Sequence, residues 1–510
     1  MHSCKHHIGL IVFTVVSASL TGCMLGPNFH TPPAPTVHSY NEVPLPLKTV
    51  ATSKASNGGQ SQAFVTGADI QAQWWYLFQS PEINELVQTG LANSPTLAAA
   101  QATLRQAQET LREQIGNSLF PAFNAGLSGE RQRFSGTSFG GGISSSLFSV
   151  YNASVNVSYT LDVFGGARRQ IESLQAQTEY QQFQLIASYL TLTSNIVTTA
   201  VTIASLEAQI EATRALIKAE EGQLIIIKDQ FHLGGVADTN VLSQLALVEQ
   251  AKATLPTLEK SLSQSKHSLS VLVGQYPNKL LPKIRLNALK LPVQLPVSLP
   301  TYLVRQRPDI RSAEALLHSA SAQVGVATAN LFPQFTLSGV YGWTASAPAI
   351  LFQPNDKAWN YTGGITQPLF HGGALLAARR VAIAAYDQAA QEYRQTLLQA
   401  FQNVADSLRA VDMDARAFQA QKAAEIATFN TLKLTLDQYR LGGVSYLNVL
   451  TAQQQYQQAR LSSIQAQALR YTDTAALFQA LGGGWWNRKK LMCNKDSINP
   501  TNVTLCSSPR

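Results

Sequence analysis

Gly136-Thr137-Ser138-Phe139-Gly140 has the spacing that, in one class of hydrolase, holds a serine nucleophile on a sharp turn. That chemistry needs a strand before the turn, a helix after it, and a carboxylate and a histidine as partners. Here the five residues fall in a Gly/Ser-rich loop at 135–149 between two alternating stretches, so a catalytic serine is set aside. No phosphate-binding Gly-x-x-x-x-Gly-Lys loop and no His-Glu-x-x-His pair occurs. The histidines are scattered, and Met413 and Met492 are the only well-separated methionines after Met24, which gives no lining for a metal relay. Four cysteines are present without a Cys-x-x-Cys pair, so a zinc ribbon is not expected. Cys493 and Cys506 could pair in an oxidising compartment or stay as two tail thiols. The expectation is a protein that is not an enzyme and holds neither cofactor nor metal.

One thiol does have a chemistry. Residues 1–22 begin with Lys5 and carry an apolar run from Ile8 to Leu20, too short for a stable transmembrane helix and suited to a secretory signal peptide. Leu20-Thr21-Gly22-Cys23 then resembles a bacterial lipobox, which implies cleavage before Cys23 and acylation of its thiol and amine. Several acyl chains anchor a protein stably where one does not. Met24 stands where an aspartate would, by resemblance to lipoprotein sorting rules, mean retention in the inner membrane, so the outer membrane is expected.

The rest of the chain is organised around a stretch that occurs twice. Gln230-Phe231-His232-Leu233-Gly234-Gly235-Val236 leads to Asn240-Val241-Leu242, and Gln438-Tyr439-Arg440-Leu441-Gly442-Gly443-Val444 leads, ungapped, to Asn448-Val449-Leu450. Glycine can take φ > 0 and end a helix. Asp238-Thr239 and Ser445 are placed to cap the helix that follows. Each copy therefore reads as the tip of an antiparallel helical hairpin, and the chain as an internal duplication.

The elements that carry these tips follow in order. Residues 23–80 form a lipidated arm, mostly irregular over 26–70, ending in the apolar knot Trp74-Trp75-Tyr76-Leu77-Phe78. The first repeat spans 81–275. It opens with helix to Ser118, interrupted at Asn93-Ser94-Pro95, and Leu119-Phe120-Pro121 then breaks the pattern. Phe123, Ala125 and Leu127, and later Tyr151, Ala153, Val155, Val157, Tyr159 and Leu161, alternate with small polar residues, the mark of strands with one apolar face. About ten residues suffice to cross a membrane at barrel tilt. From Ala167 to His232 only Gly222 weakens the helix, a run of roughly 100 Å at 1.5 Å per residue. Val241, Val248, Leu255, Leu262 and Leu269 recur every seven residues as a coiled-coil seam, with Pro256 expected to kink it.

Five prolines mark 276–300 as a linker. The second repeat, 301–484, opens a helix at Arg307-Pro308 and echoes the first: Leu331-Phe332-Pro333, alternation at 335–344 and 359–366, a second long helix from Ala374 to Leu441, and a return from Val444 to Leu481. Residues 485–510 are the tail. Four strands enclose nothing, and an open sheet edge is not tolerated in hydrocarbon, so closure must come from oligomerisation. Three chains would supply about twelve strands, an even number within the known barrel range.

Bulk composition agrees with this and excludes other classes. Apolar residues make up 45% and charged residues only 13%, against about 25% in ordinary soluble domains. The formal charge of +8 is spread along the chain rather than gathered in a stripe, so no nucleic-acid partner is expected. Arg168-Arg169 and Arg379-Arg380, just after the strand exits, could face lipid phosphates or simply be solvated helix starts.

Taken in order, the lipobox, the Gly26-Pro27 arm, the Leu-Phe-Pro breaks, Gln367-Pro368-Leu369-Phe370-His371-Gly372-Gly373, both tips and Leu481-Gly482-Gly483-Gly484-Trp485 resemble TolC-like outer-membrane efflux proteins, in particular the NodT-type lipoprotein branch that serves RND pumps. The resemblance covers roughly residues 20–486. It implies a mixed α/β membrane protein, internally duplicated, forming a trimeric 12-stranded β-barrel continued by a long periplasmic α-helical barrel. It implies a passive exit duct for small molecules such as drugs, working with a periplasmic membrane-fusion adaptor and an inner-membrane RND pump. An exit channel for type I protein secretion would have the same architecture.

The resemblance also assigns sites. Cys23 is the lipid attachment point. Leu233, Gly234, Gly235, Val236, Leu441, Gly442, Gly443 and Val444 are the tips expected to dock the adaptor. Family members often carry aspartates inside the closed periplasmic end; the matching positions here are Asn448 and Thr451, with Asn240 and Ser243 as first-repeat counterparts, all neutral.

Overall fold

The computed structural model describes residues 24–37, 39–52, 57–135 and 146–488. Cys23 and the expected signal peptide, the Gly136–Gly140 pentapeptide, Cys493 and Cys506 lie outside these residues. The chain divides into two units, each assembled from three separate segments.

Among the described residues, the first unit comprises 24–32 and those within 103–182 and 312–394. Its centre is a four-stranded antiparallel sheet of β2 (Ala122–Phe134), β3 (Ser146–Leu161), β5 (Gln334–Ala345) and β6 (Lys357–Thr366), in that spatial order. The register aligns the apolar sets of all four strands. Phe123 faces Val157, Val157 faces Gly339 and Gly339 faces Tyr361; one row along, Ala125, Val155, Tyr341 and Trp359 line up. Because side chains alternate with period two, this register puts every apolar set on one face. That face is bare: Phe123, Leu127, Trp359, Tyr361 and Ile365 are each more than 60% exposed. The outer sides of β2 and β6 have no strand partner among the described residues.

The second unit comprises, among the described residues, those within 33–102, 183–311 and 395–488. Helices α1 (Pro81–Asn93) and α2 (Pro95–Leu119) meet at Ser94, as the Asn-Ser-Pro break requires; α2 runs on into the first unit. The long helices α3 (Gly166–His232) and α7 (Ala374–Arg440) have 67 residues each. Their return partners α4 (Asp238–Leu272) and α8 (Tyr446–Ala480) have 35 each. Equal lengths in both halves are the structural trace of the duplication. One stretch of α3 is long and apolar enough to cross a bilayer, yet most of it is buried against the protein. Two short helices, α5 (Pro300–Gln306) and α6 (Pro308–Ala329), precede β5; Arg307 is the break between them rather than the first residue of a helix.

The core of this unit is built around the aromatic knot. Trp74–Phe78 forms one 3-10 turn in which Trp74, Trp75 and Phe78 are fully buried, and the Trp74 ring stacks on Phe478 of α8 at 5.4 Å. Burying each such ring contributes roughly 2–3 kcal/mol. Two stretches with little regular pattern prove to be part of this core. Ala63–Thr66 (β1) pairs in parallel with Gln294–Val297 (β4), which lies inside the Pro-rich stretch 276–300. Leu286, Leu289, Leu291, Leu295 and Val297 from that stretch are buried. A two-stranded ribbon leaves one side of each strand unpaired, so Pro296 is tolerated there. Buried Arg470 of α8 pins the arm by donating to the carbonyls of Gly58 and Gln60 and to Gln62 Oε1. Trp485, at the start of the tail, donates to Gln306 O at 2.7 Å.

The heptad seam along α4 is buried only at its ends. Val241, Val248 and Leu269 are buried, whereas Leu255 and Leu262 flanking Pro256 are half-buried. Pro256 does not end the helix; it lies on the exposed side, where a lost backbone hydrogen bond can be replaced by water.

Candidate functional site

The two tips are the same structure built twice. In the first, the N–H of Gly235 donates to Gln230 O at 2.8 Å and that of Gly234 to Phe231 O at 2.9 Å; in the second, Gly443 donates to Gln438 O at 2.8 Å and Gly442 to Tyr439 O at 2.9 Å. This nested pair is the Schellman helix end, which satisfies carbonyls that would otherwise be orphaned. It requires a left-handed residue, and Gly234 and Gly442 take φ of 76° and 78°. The expected caps on the return helices are absent. Ala237 occupies the N-cap of α4 and Ser445 that of α8, and neither side chain makes a cap hydrogen bond. Asp238 instead sits in the first turn of α4, where its charge favours the helix dipole.

Of the four apolar tip residues, Leu233 and Leu441 are 85% and 87% exposed, while Val236 and Val444 are half-buried. The valines turn inward and the leucines outward, so each tip presents one bare leucine beside a glycine pair. Asn448 and Thr451 are exposed on α8, with Thr451 Oγ1 donating to Leu447 O at 3.0 Å. Asn240 is half-buried and Ser243 exposed on α4. Residues three apart share a helix face, so each repeat carries its pair on one side of the return helix.

The two tips share a core. Leu224 and Ile227 of α3 pack with Val241, Leu247 and Val248 of α4 and with Tyr446, Val449 and Leu450 of α8. Polar contacts cross it. Tyr446 donates to Gln244 Oε1 at 2.5 Å, Gln244 Nε2 to Glu220 O at 3.0 Å, and Tyr439 to Gln230 Oε1 at 3.2 Å. The rings of Tyr439 and Tyr446 lie 5.1 Å apart. Burial pushes both hydroxyls above the usual tyrosine range, so they act as neutral donors. Sequence reasoning missed this network. Its signal was the break in the repeat: Tyr439 and Tyr446 stand opposite Phe231 and Asp238, so only the second tip carries the hydroxyls.

At the strand exit in the first unit, the arginine pair is committed to the protein itself. Arg168 is held by Asp162 at 3.0 Å, and Arg169 is 1% exposed, so neither is a free site for lipid phosphate. Asp162 accepts the backbone N–H of Ala167 and Arg168 and so closes the first turn of α3. Arg169 donates to Leu25 O at 3.0 Å, Gly26 O at 3.3 Å and Asn28 Oδ1 at 2.7 Å, and pairs with Glu172 at 2.7 Å. Phe29 stacks on His318 at 4.4 Å, and His318 Nε2 lies 2.9 Å from Glu172 Oε1. The stretch directly after Cys23 is thus fastened beside the end of β3.

No group of three or more His, Cys, Asp or Glu is placed to hold a metal ion among the described residues. The arrangement is one of surfaces rather than of reacting groups: a sheet with an apolar face, two bare tips, and a neutral polar pair behind each tip.

Residues 86–275 and 299–483 match the family model for "Outer membrane efflux protein". The chain is 30% identical over 437 residues to the pyoverdine export outer membrane protein OpmQ of Pseudomonas aeruginosa, covering 84% of this chain and 90% of that one. It is 30% identical over 490 residues to the toluene efflux pump outer membrane protein TtgC of Pseudomonas putida, covering 94% and 96%. Among solved structures, the outer-membrane channel OprN superposes with a TM-score of 0.81 at 25% identity, over 91% of this chain and all of that one.

Proposed function

The chain belongs to the outer membrane efflux protein family, and from that premise we propose that three copies close into one duct through which an RND pump empties small organic molecules. It is an outer-membrane efflux channel that extends into the periplasm, and it is not an enzyme. The trimer, its twelve strands and its partners are the proposal. One observation carries it: the four-stranded sheet has an exposed apolar face, and its two edge strands have no partner among the described residues. In hydrocarbon each unpaired backbone group costs several kcal/mol, on the order of the whole stability of a domain when summed along an edge. β2 of one copy against β6 of the next satisfies both edges, and threefold repetition closes the ring at about twelve strands.

Relatives named for exporting pyoverdine and toluene support small organic cargo over polypeptide cargo. The pump would supply energy and selection, while this chain supplies a passive path. The two exposed leucines beside the glycine turns are the surface for the adaptor, since bare apolar residues at a repeated tip mark a partner surface. Cys23, acylated, would hold the arm to the outer membrane. Mass measurement of the protein in detergent tests the central point. A trimer that resists mild heating is expected, and a monomer that inserts and conducts would overturn it.

A further inference from the structure

Above the shared tip core lies a cavity of about 370 Å³ among α3, α7 and α8. Its walls are apolar on most sides: Leu216 and Ala219 from α3, Phe429, Leu432 and Leu436 from α7, and Tyr456 from α8. Three buried polar side chains also line it, Thr213, Glu220 and Gln453, at 1%, 0% and 6% exposure. Thr213 Oγ1, both carboxyl oxygens of Glu220 and Gln453 Oε1 have no hydrogen-bond partner among the described residues. Buried polar atoms are nearly always paired, and a carboxylate is the costliest to leave bare. Here several acceptors converge on one hollow.

We propose that this cavity is a binding site for a small organic cation, a protonated amine or quaternary ammonium group carried on a compact apolar body. The charge belongs against Glu220. The body belongs against the leucines and against the Phe429 and Tyr456 rings, whose centroids lie 5.4 Å apart and whose faces attract cations. An inorganic ion fits less well, because one carboxylate and apolar walls cannot replace its hydration shell. An anion is excluded by the same carboxylate. Arg460 also lines the cavity, but its guanidinium is taken by Glu425, which Lys422 also pairs at 2.8 Å. The other groups around Glu220, Gln244 and Tyr446, are neutral. Burial pushes the empty Glu220 carboxyl up to about 7, so a bound cation would release its proton near neutrality. The site is built from residues of one chain and shares none with the tips, so its test stands or falls apart from the trimer.

The test uses the full-length protein in detergent, with 1-naphthylmethylamine as the cation and 1-naphthalenemethanol as its neutral counterpart, both by calorimetry at pH 8. The amine is expected to bind at least about tenfold more tightly, the scale of one charge-assisted contact. At pH 7 the measured heat should vary with the ionisation enthalpy of the buffer, because Glu220 releases a proton. Glu220→Gln should bring the amine down to the affinity of the alcohol and leave the alcohol unchanged. Leu432→Trp, which fills the hollow without touching the carboxyl, should abolish both. Equal binding of the two probes, no binding by either, or amine binding unchanged in Glu220→Gln with its assembly intact would overturn the proposal.

Discussion

Arg169 Nη2 donates a 2.7 Å hydrogen bond to Asn28 Oδ1, joining residues 141 positions apart in sequence. The guanidinium is buried, and the backbone carbonyls of Leu25 and Gly26 and the Glu172 carboxylate complete its shell. Residues 25–28 are therefore set in place by a charged group that has no water to fall back on.

Asn28→Ala should loosen the arm. A hydrogen bond to a charged group contributes about 1.5–3 kcal/mol, and its loss leaves Arg169 underpaired. Hydrogen exchange over residues 24–32 should rise by one to two orders of magnitude, with exchange in β3 and β5 unchanged. Gly26→Ala should do more. Gly26 has φ of 90°, and a Cβ there would lie 2.4 Å from Gly325 Cα, where backbone cannot yield. Arm exchange that stays slow in both variants would show that Arg169 does not hold it.

The tips should be intolerant of branched residues. Gly234 and Gly442 are both left-handed, which costs a side chain about 1–2 kcal/mol before β-branching is counted. Gly234→Val with Gly442→Val should open both Schellman turns and lower resistance to exported compounds several-fold. Heat-resistant assembly should persist, because in the proposed trimer closure rests on the strands. Unchanged susceptibility in the double variant would remove the tips from adaptor docking.

What the sequence made legible was what is local. Gly-Gly after a helix-forming run, repeated with matched flanks, predicts both turns because the Schellman end depends on six consecutive residues. Period-two alternation predicts the strands and the face they share, because register follows from which side must be apolar. The arm latch was not legible: Arg169 near a helix start reads as a solvated cation until Asn28 is brought to it. Glu220 was not legible either: with Glu221 and Gln223 beside it, it reads as part of a solvated helix face until α7 and α8 are brought over it. β4 was hidden by Pro296 within it and by Pro292 and Pro300 on either side, which argue for a linker unless the partner strand β1 is known.

Asp414 and Asp473, on facing helices α7 and α8, give a pH dependence. Burial, then the hydrogen bond that the protonated Asp414 donates to Asp473 and the charge of Asp473, push the Asp414 carboxyl up to about 8, against the pull of Arg470. The folded value lies above the unfolded one near 4. The shared proton thus stabilises the folded protein fully at pH below about 4, and that stabilisation is lost progressively as pH rises through about 8. Thermal unfolding between pH 5 and 9 should show Tm falling on the alkaline side. Asp414→Asn keeps a donor toward Asp473 without an ionising proton, and should flatten that fall. A variant with the wild-type slope would place the titration elsewhere.

In the proposed trimer, the neutral pair behind the second tip sets how the periplasmic end treats ions. Asn448 and Thr451 are exposed and share one face of α8. In the proposed trimer each becomes a ring of three facing the lumen. Three carboxylates so arranged would add their potentials in a narrow, poorly screened space, where each pair of charges is worth about 1–4 kcal/mol at contact distance. Asn and Thr supply none of this, though both can hydrogen-bond across a constriction. The channel in planar bilayers should therefore be weakly selective and little affected by hexamminecobalt added on the periplasmic side. Asn448→Asp with Thr451→Asp should create block that weakens with salt and disappears at acidic pH. The nearby acids are Asp238, in the first turn of α4, and Asp437, which is paired with Arg440 at 3.2 Å. Strong block of the unaltered channel would mean that one of these, rather than the α8 pair, forms the ring, and Asp238→Asn against Asp437→Asn would tell which.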